Sequence, residues 1–281
     1  MKLIADCGAT GSRWGAVCGG EVSIINSLPL NAATMSADEM VKAVADALQQ
    51  AENRFGKLRG VKAEVYAAGA RGECAERFTE ILRRIFPKDS SITTGSDMTL
   101  SARASLGEQS GIACILGTGS NSCLWNGHGI TGQTPSLGYV LGDEGSGASI
   151  GKRLVSNYLK GLYSTLTSRL IRDAFPELTV DTAIERVYRS TGANRWLAGF
   201  VPFISANKEN KELLATAESE IENFFNRNIK PYNQPAGTLM GFTGGVAATF
   251  QETVRQKATV YGFKETRIAS DPLRALIDME R

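Results

Sequence analysis

Leu3-Ile4-Ala5-Asp6-Cys7-Gly8-Ala9-Thr10-Gly11-Ser12 runs from a short apolar strand into a glycine-broken turn, and Trp14-Gly15-Ala16-Val17 behind it is strand-like again. The same order recurs at Ile112-Ala113-Cys114-Ile115-Leu116, then Gly117-Thr118-Gly119-Ser120-Asn121, then Cys123-Leu124-Trp125. Glycine at such turns permits positive φ and lets backbone N–H groups approach an anion closely, which suits phosphate. The hydroxyls of Thr10, Ser12, Thr118 and Ser120 add donors without blocking that approach. A Rossmann fingerprint needs its glycines to lead into a helix, and here strands follow. No Gly-x-x-x-x-Gly-Lys-Ser/Thr occurs, and the lysine and catalytic-loop signatures of protein kinases are missing.

Outward from the first loop, Glu21 to Ile25 reads as a third strand, and Leu28-Pro29-Leu30-Asn31 as a loop. Ser36-Ala37-Asp38-Glu39 has the capping-box pattern that opens a helix, with Met40, Val41, Val44, Ala45 and Leu48 on one face. A strand over 63–68, a helix over 73–86 stopped by Pro87, a short strand over 91–94 and a helix over 98–106 follow. The order is β-β-β-α-β-α-β-α, and the second glycine loop starts strand, loop, strand once more. A duplicated fold is the simplest account. The second half adds predicted helices over 147–162, 164–174, 182–190, 196–204, 209–228 and 245–258, with a strand over 238–242 entering Thr243-Gly244-Gly245. The boundary is expected near 106–111, giving domains over 1–108 and 109–281, with the last helix free to pack back on the first domain.

Composition excludes several classes. Hydrophobic residues at 42% and charged residues at 21% suit an ordinary globular chain, and a net charge of +2 without a basic stripe disfavours nucleic acid. No apolar run reaches the roughly 18–20 residues of a membrane span, and Met1-Lys2 leads straight into a strand, so no secretory leader is expected. The five cysteines lack any Cys-x-x-Cys spacing and several lie on apolar strands, which points to buried thiols in a reducing cytoplasm. The single histidine, His128, sits in a polar Gly-rich turn. It supports neither a zinc site nor a Ser-His-Asp or Cys-His unit, so a general base would be a carboxylate.

Four places carry candidate chemistry. Asp6 ends a strand beside the first loop, where it can hold Mg²⁺ through water or simply cap a hairpin. Asp97 follows Thr93-Thr94-Gly95-Ser96 at a helix start; it is either the N-cap or a carboxylate that accepts a proton from a hydroxyl, and the two roles are compatible. In Gly142-Asp143-Glu144-Gly145-Ser146-Gly147, two carboxylates among glycines exceed what a turn requires, although a helix start also favours acidic residues. Gly241-Phe242-Thr243-Gly244-Gly245 suits adenosine packing, a phosphate at a helix start, or a tight turn.

Together these residues resemble the actin-like (sugar kinase/heat-shock-70/actin) ATPase superfamily, with Asp6–Ser12 and Leu116–Ser122 similar to its two phosphate motifs and Thr243–Ala247 to its adenosine motif. Thr93–Asp97, Gly117–Asn121 and Gly142–Gly147 resemble the N-acetylglucosamine kinase-like members of the BadF/BadG/BcrA/BcrD-type ATPase family. The resemblance implies an α/β fold of two actin-like (ribonuclease H-like) domains with an ATP cleft between them. It further implies ATP and Mg²⁺ as cofactors, and transfer of the γ-phosphoryl group to an amino sugar. By that likeness Asp97 is the base and Asp6 helps hold the metal. Gly8, Thr10, Gly11, Ser12, Gly117, Thr118, Gly119, Gly244 and Gly245 bind nucleotide. Asn31, Ser120, Asn121, Asp143 and Glu144 lie near the sugar. No nucleic acid or membrane partner is implied, and a homodimer is left open. The first loop departs from many sugar kinases: Ala9 replaces a second glycine, and Gly11-Ser12-Arg13 lacks their lysine. The alternative is an activator or coupling ATPase of the same family without sugar kinase activity. Its reductase-activating members need cysteine ligands for an iron–sulfur cluster, which Cys114 and Cys123 are not placed to supply. A sugar-sensing repressor would need a DNA-binding domain ahead of Asp6.

Overall fold

A computed structural model describes every residue except 9, 10 and 281, so the expected Thr10 phosphate contact lies outside the described residues. The chain divides into two compact units, Met1–Gly107 with Asp271–Arg281, and Glu108–Ser270.

The first unit contains β1 (Lys2–Cys7), β2 (Ser12–Cys18), β3 (Glu21–Ser27), α1 (Ala37–Phe55), β4 (Lys62–Ala67), α2 (Glu73–Ile85), β5 (Ser91–Ser96) and α3 (Asp97–Leu106). Its sheet runs β3-β2-β1-β4-β5. β1, β2 and β3 pair antiparallel, and β4 and β5 lie parallel to β1. The capping box at α1 is complete: Ser36 Oγ accepts from the Glu39 N–H, and Glu39 accepts from the Ser36 N–H. α1 then buries Met40, Ala43, Val44, Ala47, Leu48 and Ala51, one helical stripe against the sheet.

In the second unit β6 (Ser110–Leu116), β7 (Ser120–Asn126) and β8 (Ile130–Gln133) come first. Next come α4 (Gly138–Leu141), α5 (Gly147–Leu159), α6 (Thr165–Ala174), α7 (Val180–Ile184), α8 (Ala193–Ala198), α9 (Val201–Ala206) and α10 (Lys211–Phe224). β9 (Met240–Thr243), α11 (Gly245–Thr249), α12 (Gln251–Val260) and β10 (Thr266–Ala269) close the unit. Its sheet order is β10-β9-β6-β7-β8. Counted within each repeat, this is the order of the first unit, so the duplicated β-β-β-α-β-α-β-α core is present. α13 (Pro272–Met279) is the final helix of the second repeat, yet it packs on β1, β2 and α3 of the first unit, burying Leu273, Leu276 and Ile277. Gly15 admits it: a Cβ there would fall 2.2 Å from Ile277 Cδ1.

Several predicted helices are divided or shifted. The helix expected over 196–204 is two helices that part at Gly199, and that over 245–258 breaks at Phe250. The predicted 182–190 helix starts at Val180 behind a Thr179 cap, and both it and α10 end in π-helical turns, Glu185–Arg189 and Phe225–Ile229. Asp97 is not the N-cap of α3. Ser96 is, accepting from the Thr99 N–H at 3.2 Å, and Asp97 is the first helical residue. Among the described residues no helix is long and apolar enough to cross a membrane.

Candidate active site

In the first unit the candidate residues gather at one edge of the sheet. Register aligns Cys7 with Ala67 and Ala67 with Ser96, so the loops after β1, β4 and β5 leave from the same side. Asp6 lies on β1, and Asp97 begins the helix that leaves β5, two strand spacings or about 10 Å across the sheet from β1. Asn31 is drawn to this edge by a bridge to Ala68, the Ala32 N–H donating to the Ala68 carbonyl at 2.9 Å and the Leu30 N–H to the Gly8 carbonyl at 3.1 Å. Gly69, at φ 75°, makes room for it, since a Cβ would lie 2.6 Å from Ala33 Cβ and 2.9 Å from Asn31 Oδ1. Asn31 Oδ1 accepts from the N–H groups of Ala33 and Thr34, which turns the loop and leaves the amide NH₂ as the outward-facing chemistry.

Charge at this edge is unevenly compensated. Arg13 forks onto Asp271, Nη1 to Oδ2 at 3.0 Å and Nη2 to Oδ1 at 2.6 Å, and comes only within 4.0 Å of Asp6. Burial lifts the Asp6 carboxyl above its usual range despite Arg13, and Asp271 and Asp97 push it the same way. Asp97 is half-buried. Burial raises its pKa, partly offset by Arg71 and by the Met98 N–H, which donates to Oδ1 at 2.9 Å. The first loop closes through the Gly8 N–H to the Gly11 carbonyl at 3.1 Å. Ser12 Oγ is buried beside the Cys7 thiol, which burial pushes up to about 12 against the opposing effect of Ser12, and among the described residues it has no other hydrogen-bond partner. A buried hydroxyl left over at a glycine turn fits an anion that completes it.

The second unit brings three motifs into one place. The Gly117–Gly119 turn, the start of α5 and the Gly244-Gly245 turn line a cavity of about 290 Å³, with Ala198, Val201, Pro202 and Thr249 behind them. Gly244 is required there: its φ is 100°, and a Cβ would stand 2.4 Å from the Leu116 carbonyl oxygen. Loop carbonyls of Gly117 and Thr118 accept from the N–H groups of Gly147 and Ala148, and Ser146 Oγ accepts from Ser149 N–H. The first donors of α5 are thereby consumed, so this helix start does not offer itself to phosphate. Packing explains most of the glycine in 142–151. A Cβ at Gly145 would meet Phe224 Cβ at 2.7 Å, one at Gly147 Ala198 Cβ at 2.9 Å, and one at Gly151 the Leu197 carbonyl at 1.8 Å.

What packing does not explain is Asp143, a non-glycine residue at φ 57°. Its Oδ1 accepts weakly from the Ser120 N–H at 3.3 Å, and its carboxylate lies over Gly119. Burial raises its pKa; the Ser120 N–H opposes this, Glu144 adds to it, and Lys152 lowers it. Glu144 is turned to protein partners, Arg227 Nε at 2.8 Å and Asn228 Nδ2 at 3.1 Å. Asn121 Oδ1 accepts from Ser122 N–H and Gln133 Nε2, both at 2.9 Å, which leaves its NH₂ to donate. His128 lies in an exposed hairpin turn made by Asn126, as its setting predicts. Arg13, Asp271, Arg71, Arg227 and Asn228 escape the sequence reading. Only Asp271 left a signal, since Ser270-Asp271 repeats Ser96-Asp97.

No protein-family model matches the chain, and no curated protein matches it by sequence. Solved structures do. A protein of Porphyromonas gingivalis, provisionally assigned as an N-acetylglucosamine kinase, is 32% identical with a TM-score of 0.89, covering 99% of this chain and 98% of that one. A second protein so assigned, from Chromobacterium violaceum, has a TM-score of 0.74 at 18% identity over 98% of this chain and 97% of that one. A ROK family glucokinase of Streptomyces griseus, solved with glucose and AMPPNP, shares the fold at a TM-score of 0.53 and 12% identity over 97% and 96% of the two chains. With its duplicated sheets, its paired glycine loops and a full-length relative above 30% identity, the chain belongs to the N-acetylglucosamine kinase-like, BadF-type family of actin-like ATPases, a family of ATP-dependent kinases.

Proposed function

We propose that this chain transfers the γ-phosphoryl group of ATP to a hydroxyl of N-acetylglucosamine or a closely related amino sugar, with Asp97 as base. The observation that carries this is Asp97 itself. Ser96 performs the capping that Asp97 is equally suited to, so the carboxylate is spared for chemistry at the strand edge. Its raised pKa suits a group that must accept a proton.

Asp97 takes the acceptor hydroxyl proton as the sugar oxygen bonds to the γ-phosphorus, and the bond to the β–γ bridging oxygen breaks to release ADP. Most of the catalysis in such a transfer is positioning and charge compensation. The free NH₂ groups of Asn31 and Asn121, with Ser120 and the carboxylates of Asp143 and Glu144, orient the sugar. The groups suited to phosphate oxygens are Gly8, Gly11 and the Ser12 hydroxyl in the first unit and Gly117, Thr118 and Gly119 in the second. The small, backbone-lined cavity at Gly244-Gly245 takes the adenosine. Among the described residues no group of three potential ligands could hold a metal ion alone. An under-compensated Asp6 fits Mg²⁺ bound mainly through water and phosphate. Such an ion, when bound, neutralises phosphate charge. The buried thiols of Cys7, Cys114 and Cys123 agree with a cytoplasmic setting.

The test is ADP release measured with N-acetylglucosamine, N-acetylmannosamine, glucose and no sugar. Stimulation by an amino sugar is expected. Equal release without sugar would convert the reading to a bare ATPase, and no release with any of them would remove both.

A further inference from the structure

α10 passes directly into the π-helical turn Phe225–Ile229, which carries the neighbouring Arg227 and Asn228. Arg227 is exposed, whereas Asn228 is 9% exposed. Both reach Glu144, Arg227 from solvent and Asn228 from inside. The charge of Glu144 is already met by the guanidinium, so the bond from Asn228 Nδ2 to Oε2 adds direction rather than neutralisation.

Asn228 is also tied elsewhere. Its carbonyl accepts from Thr134 Oγ1 at 2.9 Å and from Ser122 Oγ at 3.4 Å. Ser122 Oγ lies 2.9 Å from the Tyr232 hydroxyl, which accepts from the Thr134 N–H at 2.8 Å. Ser122 adjoins Asn121 and is bonded to it through the backbone. A single buried residue therefore grips the 142–147 loop with its side chain and the β7–β8 segment with its backbone. Single π-helical turns of this kind recur at functional sites.

We infer that Asn228 is a positioning residue that fixes Glu144 relative to Ser120 and Asn121, and thereby sets affinity for the acceptor rather than for the nucleotide. The inference rests on the reading of those residues as sugar contacts. Losing an outer partner that orients a metal ligand costs about 10- to 100-fold, and the same scale is expected for one that orients a sugar-binding carboxylate. Asn228→Ala is expected to raise the sugar KM and the calorimetric sugar Kd at least about tenfold while the ATP KM stays within about twofold. Asn228→Asp keeps the shape but sets an acceptor against Glu144, and the same split is expected, larger. Arg227→Ala, which removes the solvent-side partner, is expected to act more weakly, within about threefold. Sugar and ATP constants that rise together, or a sugar constant that does not move in either Asn228 variant, would overturn the inference while leaving the kinase reading intact. If the parent protein phosphorylates no sugar, the kinase reading fails, and amide hydrogen exchange over 142–147 decides the positioning role alone. Faster exchange there in Asn228→Ala than in Arg227→Ala supports it; unchanged exchange refutes it.

Discussion

Ser96-Asp97 and Ser270-Asp271 occupy the same slot in the two repeats, each between the last strand and the last helix. Their fates are opposite. In the first, Ser96 caps the helix and Asp97 has no bonded cation among the described residues; in the second, Asp271 caps α13 through the Arg274 N–H and is forked by Arg13. Burial raises the Asp97 pKa, whereas the Arg13 hydrogen bonds lower that of Asp271 against the effect of burial. Duplication delivered two equivalent carboxylates; divergence committed Asp271 to a cap and an ion pair and left Asp97 without either among the described residues, which is what supports the proposed role of Asp97 as base.

The largest expected effect breaks the pair at Asp97. Asp97→Asn should lower kcat by about 10²–10⁴-fold and raise the melting temperature. The sign follows from linkage. A carboxyl whose folded pKa exceeds its unfolded value favours folding only when protonated, so at neutral pH its charge costs stability and the amide removes that cost. The parent kcat/KM should fall on acidification with a midpoint above the ordinary Asp value of 3.8. A variant that is both active and less stable would end the assignment.

Next come two positive-φ glycines that follow corresponding strands, Gly69 after β4 and Gly244 after β9. Gly244→Ala meets the Leu116 carbonyl and Gly69→Ala meets Ala33 and Asn31, each at positive φ. Each should cost about 1–3 kcal/mol in denaturant unfolding. Where they divide is function: the first should chiefly raise the ATP KM, the second the sugar KM. Both substitutions affecting one substrate would show that the repeats do not share the work in this way.

The smallest effect belongs to Asp271. Asp271→Asn keeps a capping side chain and loses a pair that is about 40% exposed, so about 0.5–1 kcal/mol is expected at pH 7. Because the folded pKa is lowered, that stability is present above the usual Asp value and disappears as pH falls through the lowered one. Variant and parent should therefore converge in urea midpoint once the pH lies below that lowered value. A difference that persists there would mean that Asp271 acts through packing.

The repeat was legible because strand periodicity, a complete capping box and two glycine loops are local signals. The α3 cap was not: Ser96 and Asp97 are adjacent and both cap well, so sequence leaves the register open by one residue. β10 was missed because Thr266-Arg267-Ile268-Ala269 is half-buried throughout and shows no alternation. For the glycines of 142–151, sequence allows close packing at Gly147 and Gly151 but cannot name the partners, Phe224, Ala198 and Leu197, which lie far along the chain. Glu144 stands out in the sequence as a candidate site residue, but its partners Arg227 and Asn228 lie in a π-helical turn that has no sequence signature.

Helix α13 has a consequence for synthesis. The first sheet offers one face around Gly15 that is covered only by residues made after the whole of the second unit. At about 5–20 residues per second, a nascent first unit waits on the order of ten seconds with that apolar face open and Arg13 unanswered. Ribosome-bound chains halted before Pro272 should therefore recruit chaperones and be cleaved within β1–β2, and release of the final helix should end both.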